Sequence, residues 1–177
     1  MFNEYSVLVA MAPRADAVLR SFRARYVLTP ATEMPAHVTI YVPFLPGEEI
    51  TQKVLDDLRA LFAPVAPFDA TFARIGRFER AGVLYLAPEP AAPFDALHAL
   101  VQARYPQLRS RFTPYTMHLT VAQGQTTGRL DVVDSMFYQT HNADLPLRET
   151  IREIGLFVKH EGSWSPRATF PLGGAAK

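Results

Sequence analysis

The chain has no cysteine. Disulfide frameworks, thiolate nucleophiles, iron–sulfur clusters and cysteine-based zinc sites are therefore excluded, and the absence fits a reducing compartment. Charge of one sign is also missing: 18 Lys and Arg against 17 Asp and Glu leave a formal net charge of +1. Such a chain does not coat long nucleic acid by neutralising phosphates, so any phosphate site has to be local. No apolar run approaches the ~20 residues that span a bilayer. The short run 7–12 follows Glu4 with no Lys or Arg before it, unlike a secretory leader. A cytoplasmic protein without membrane contact is expected.

Several motifs are absent too. There is no His-Glu-x-x-His, no His-x-His and no carboxylate cluster, so no metal is expected. The segment 124–128 lacks the Gly-Lys-Ser/Thr ending of a phosphate loop. Neither Gly-x-Gly-x-x-Gly nor Gly-x-Ser-x-Gly occurs, and aromatic-sheet RNA-binding signatures are missing. No cofactor is expected.

What remains is a 177-residue chain that is 49% hydrophobic, the size and apolarity of one globular domain. Its cations are mostly Arg, which suits bidentate phosphate contacts. Apolar patterning predicts strands over 5–11, 37–42, 68–78, 83–87, 116–122, 153–160 and 163–170. Helices are predicted over 18–26, 50–62, 94–105 and 130–138. In the Arg-rich stretch that holds the first of these, Arg14, Arg20, Arg23 and Arg25 read as a solvated face. Turns are expected at Ala81-Gly82 and Glu161-Gly162. Two hairpins and alternating strands favour an α+β fold with antiparallel sheets over a parallel doubly wound one. The order also repeats: a helix ending in Tyr (Tyr26, Tyr105), a Pro-bearing loop, then a strand that begins at His (His37, His118). This reads as one domain over 1–172 built from duplicated halves, roughly 1–75 and 76–172, with a flexible tail over 173–177.

The informative feature is a pair of tetrapeptides, His37-Val38-Thr39-Ile40 and His118-Leu119-Thr120-Val121. On a strand, His and Thr two apart share a face while the aliphatics point to the core. Two such strands side by side gather two imidazoles and two hydroxyls in one concavity. That is a general acid, a general base and two neutral hydrogen-bond donors. One such tripeptide is weak evidence, but two copies with apolar flanks, each reached through a similar loop, point to function. By alternation Tyr41 shares the face of His37 and Thr39. Tyr115 is a cleft or core residue, and Thr116 reads as scaffold. His98, His141 and His160 read as structural or surface residues, and Trp164 as core.

With these two motifs the sequence resembles the 2H phosphoesterase superfamily, in its 2′-5′ RNA ligase and cyclic phosphodiesterase branch. The resemblance runs from the first strand to the last hairpin. It implies a bilobal α+β fold, a pseudo-twofold pair of antiparallel sheets with outer helices and a central cleft. The implied catalytic residues are His37, Thr39, His118 and Thr120, with Tyr41, Tyr115, Gln123 and Arg77 as substrate-binding candidates. The implied activity is metal-independent phosphoester chemistry on a 2′,3′-cyclic phosphate or a 2′-5′ phosphodiester end of RNA or a small nucleotide, by a monomer. The other reading is a non-catalytic nucleotide- or RNA-binding module of the same fold. One position departs: many members carry a basic residue shortly after the second motif, where this chain has Gln123. Arg74, Arg77, Arg80 and Lys159 are the candidate replacements.

Overall fold

A computed structural model describes residues 4–29 and 34–173. β1 (Ser6–Met11) is a buried apolar strand, and Pro13 at the first turn starts α1 (Pro13–Tyr26). β2 (His37–Tyr41) is followed by α2 (Gln52–Phe62), whose Thr51 hydroxyl caps the Val54 amide. β3 (Phe68–Phe78) and β4 (Val83–Glu89) form a hairpin. Its turn needs Gly82: φ is +62°, and a Cβ there would overlap the Gln125 carbonyl. Next come α3 (Ala92–Arg104), β5 (Leu119–Ala122) and α4 (Thr127–His141). β6 (Leu147–Ile151), β7 (Glu153–His160) and β8 (Ser163–Pro171) close the fold, with Glu161 and Gly162 both at positive φ in the last hairpin turn. The apolar pattern does not announce β6, α4 is longer than expected, and β5 begins at Leu119 rather than at residue 116.

Every named strand pairs antiparallel, in the order β6-β3-β4-β5-β2-β1-β7-β8. The two expected sheets are present as four-stranded wings, joined edge to edge where Val38 of β2 faces Leu119 of β5. The wings do not follow the two sequence halves. β7 and β8 complete the wing of β1 and β2, whereas β3, which straddles the expected boundary at residue 75, pairs with β4 in the other wing. The helices cross over as well: α1 leaves β1 to pack on β5 and β6, and α3 leaves β4 to pack on β2. This exchange buries Leu8, Leu19, Phe62, Phe72, Phe94 and Phe137 in one core, each side chain worth about 2 kcal/mol of transfer free energy.

Two details fix the site's frame. First, Ala12 offers α1 no side-chain cap, so the buried Glu149 of β6 does: its Oε2 accepts the Arg14 and Ala15 amides at 2.8 and 3.1 Å. Second, both motif strands carry a bulge at the same place. Leu8 and Val9 pair with Tyr41 and Thr39, skipping Ile40; Leu84 and Tyr85 pair with Ala122 and Thr120, skipping Val121. Of the expected tail, Gly173 is held by a hydrogen bond to the Val65 carbonyl at 2.6 Å; residues 174–177 lie outside the described residues.

Candidate active site

The side chains of Val38, Ile40, Leu119 and Val121 are fully buried, whereas those of His37, Thr39, His118 and Thr120 are half-buried. All four polar side chains line one cavity of about 630 Å³. The Val38–Leu119 register puts His37 opposite Thr120 and Thr39 opposite His118. Each imidazole is thus neighbour to the other strand's hydroxyl, at the ~5 Å spacing of antiparallel cross-strand pairs.

The imidazoles are held alike. His37 Nδ1 lies 2.7 Å from the Pro35 carbonyl oxygen, and His118 Nδ1 lies 2.7 Å from that of Thr116. A carbonyl only accepts, so Nδ1 carries the proton in each ring and Nε2 is left to take or give one. The surroundings favour the neutral forms. Burial drives His37 down to about 4; its bond to Pro35 opposes this, the charges of Arg23 and His118 add to it, and Asp16 opposes it. Burial also lowers His118, against its bond to Thr116. The His118 ring is enclosed by Phe78 edge-on at 5.0 Å, Tyr85 at 5.4 Å and Tyr115 stacked at 6.4 Å.

Tyr115 and Gln123 line the cavity, as their sequence positions suggest. Burial pushes the Tyr115 phenol up to about 12, with Thr39 and Arg111 acting the other way, so it stays a neutral donor. Gln123 brings a carboxamide, and its backbone bridges to Val27. Tyr41 does not face the cavity. The bulge at Ile40 breaks the alternation, so Tyr41 is fully buried, stacks on His98 at 4.9 Å and donates to Gln102 Oε1 at 2.6 Å. Arg77 is not a cavity residue either: it is engaged by Glu79, Asp131 and Asp134. Of the other candidate cations, Arg80 lines the cavity, and Arg74 and Lys159 do not. Trp164, expected in the core, is half-buried against the cavity, and Thr116 lines it too. His98 is packed between Tyr41 and Tyr115, His141 pairs with Asp144 and His160 with Glu4.

Sequence reasoning misses Arg111, Phe112, Phe78 and, above all, Arg23. Arg23 is not on a wet face: it is 4% exposed and borders the cavity. Its phase carries the signal, for Asp16, Leu19, Arg23 and Tyr26 fall on one stripe at helical spacing. Among the described residues no group of three or more His, Asp or Glu is placed to hold a metal ion, and no helix is long and apolar enough to cross a membrane.

The family model of the 2′-5′ RNA ligase superfamily matches residues 11–163. A Geobacillus kaustophilus protein named as a phosphoesterase is 25% identical over 173 residues, covering 97% of each chain. Among solved structures, Escherichia coli LigT complexed with 3′-AMP superposes with a TM-score of 0.59 at 13% identity, over 96% of this chain and 98% of LigT. The Thermus thermophilus protein TT0787 does so with a TM-score of 0.57 at 17% identity, over 98% and 99%. Matched by that family model over most of its length and folded like LigT, the chain belongs to the 2′-5′ RNA ligase superfamily of 2H phosphoesterases.

Proposed function

We propose that the protein is a metal-independent cyclic phosphodiesterase, using His37 and His118 as acid and base on a nucleoside 2′,3′-cyclic phosphate or the cyclic phosphate end of an RNA. The observation that carries this reading is the matched pair of imidazoles on one cavity, each with Nδ1 tied to a carbonyl two residues back. One neutral Nε2 takes a proton from water as the water oxygen bonds to phosphorus. The other imidazole, protonated, gives its proton to the ribose oxygen as the P–O bond breaks. The product is a ribose phosphate monoester. Thr39 and Thr120 donate to the non-bridging oxygens, where charge builds in the transition state. With a 5′-hydroxyl in place of water as nucleophile, the same steps form a P–O5′ bond as the P–O3′ bond breaks and the 3′ oxygen takes the proton, which joins ends through a 2′-5′ link.

A nucleotide ligand is supported by the cavity's aromatic and cationic wall, which includes Phe78, Tyr115, Arg80 and Arg111, and by the 3′-AMP and NADP+ complexes of LigT. The protein is read as cytoplasmic and monomeric, with no resident cofactor. The test is turnover of nucleoside 2′,3′-cyclic phosphates in excess EDTA, with the product isomer identified. Sustained turnover is expected. Loss in EDTA that a divalent ion restores rules out the scheme, and tight binding without turnover makes the protein a binding module.

A further inference from the structure

Asp16 and Arg23 form a buried ion pair on α1, directly behind the two motifs. Arg23 Nε donates to the Thr120 carbonyl at 3.0 Å, and its Nη1 donates to the Met34 carbonyl at 3.1 Å. Asp16 Oδ1 accepts the Ala36 amide, one residue before His37, at 2.8 Å and lies 3.7 Å from Arg23 Nη1. Asp16 Oδ2 binds the exposed Arg20. One short stretch of helix therefore holds the main chain of both motifs, and the guanidinium also borders the cavity.

The internal repeat isolates the charge. Asp16-Ala17 and Ala24-Arg25-Tyr26 of α1 recur as Asp95-Ala96 and Ala103-Arg104-Tyr105 of α3, at the same spacing. In that alignment Arg23 falls opposite Gln102. Gln102 is neutral, and its amide donates to the Tyr105 and Leu108 carbonyls while its oxygen accepts from Tyr41. The helix position that repeats Arg23 in the other half thus carries no charge.

We propose that the Asp16–Arg23 pair is the positioning device of this site: it clamps the two motifs together and makes them electrically unequal, leaving His37 to accept the nucleophile's proton and His118 to protonate the leaving oxygen. This assignment rests on the two-imidazole reading above. Among the described residues, the charged groups that act on His37 are Arg23 and Asp16 from α1 and His118 from the start of β5; its β1 neighbour is Met11, which does not titrate. Burial is the main cause that lowers His118, and its bond to Thr116 opposes it.

The test is an NMR titration of both imidazoles in the full-length protein and in Arg23→Lys, Arg23→Met and Asp16→Asn, with thermal melting to establish that each is folded. In the parent protein His37 titrates below His118. Arg23→Met raises His37 by about one pH unit and moves His118 by less than half as much, and Arg23→Lys restores the parent order. Asp16→Asn has the opposite sign and keeps His37 neutral over the whole range in which the protein stays folded. Kinetically, Arg23→Met lowers kcat by at least about tenfold, with a smaller change in KM, and carries the acidic limb of kcat/KM upward with His37. Equal shifts of both imidazoles, or none, in Arg23→Met overturn the proposal. So does Asp16→Asn raising His37, which decides the matter even if Arg23→Met does not fold. The titration needs no substrate, so a parent protein without turnover refutes the proposed function and leaves the electrostatic claim to be judged by the NMR shifts.

Discussion

Val38 on β2 lies directly opposite Leu119 on β5, and this antiparallel pair is the seam between the two wings of the sheet. Because the residues that meet are the second of each motif, the pairing is reciprocal: His37 is set against Thr120, and Thr39 against His118. Each imidazole therefore lies beside a hydroxyl from the other strand. The site exists only when both wings are joined.

Reciprocity separates the Thr residues from the His residues in kind. Thr39→Val and Thr120→Val keep the strand-compatible shape and remove one neutral donor, which is worth up to ~10²–10³-fold in kcat. Both variants are expected to retain both limbs of the pH–rate profile. Disappearance of a limb in either contradicts the assigned role.

The depressed imidazoles set the position of that profile. With His37 at about 4 and His118 also below the ordinary 6.5, kcat/KM on a cyclic nucleotide is expected to follow a bell whose apex lies below pH 6.5. Bound phosphate is an anion that favours both imidazolium forms, so the kcat profile is expected at higher pH than the kcat/KM profile. An apex of kcat/KM above pH 7 contradicts this electrostatic description.

The same burial makes the fold acid-sensitive. Above pH 6.5 the His37 ring is neutral both folded and unfolded. Between 6.5 and about 4 the unfolded chain binds a proton that the folded site refuses, so stability falls as pH falls through that window, by up to about 3 kcal/mol. Urea unfolding at pH 7.5 and 4.5 is expected to show a smaller loss for His37→Ala than for the parent. Equal losses contradict the assignment to His37.

Glu149 is expected to matter more than a strand carboxylate ordinarily does. Glu149→Ala leaves the Arg14 and Ala15 amides of α1 without their acceptor and costs about 1–2 kcal/mol, or roughly 2–8 °C in Tm. Glu149→Gln keeps an acceptor and is expected to lose less. A Glu149→Ala protein that melts with the parent shows that the cap is dispensable.

The outline of the fold is legible in apolar period because most elements bury one clean face. Where that reading fails, a polar residue or an irregularity interrupts the period. β6 is hard to see because its inward positions are Leu147, Glu149 and Ile151, with the capping carboxylate in the middle of the apolar stripe. Strict alternation places Tyr41 on the cavity face; the bulge at Ile40 turns it inward. Charge alone suggests a solvated Arg23, although its helical phase puts it on the buried stripe with Leu19 and Tyr26. The two motifs themselves are legible because their His and Thr precede the bulges. The exchange of β3, β7 and β8 between wings is a matter of long-range pairing that no local pattern encodes.

The central claim is that two imidazoles, one from each motif, move the protons of one phosphoester reaction. The most direct measurement is the pH dependence of kcat/KM for His37→Ala and His118→Ala on a nucleoside 2′,3′-cyclic phosphate, beside the parent and with folding checked by melting. Each variant is expected to fold, because its side chain faces the cavity while Val38 and Leu119 hold the core. Each is expected to lose about 10²–10⁴-fold and one limb of the bell. A folded variant that keeps both limbs at near-parent kcat/KM contradicts the account.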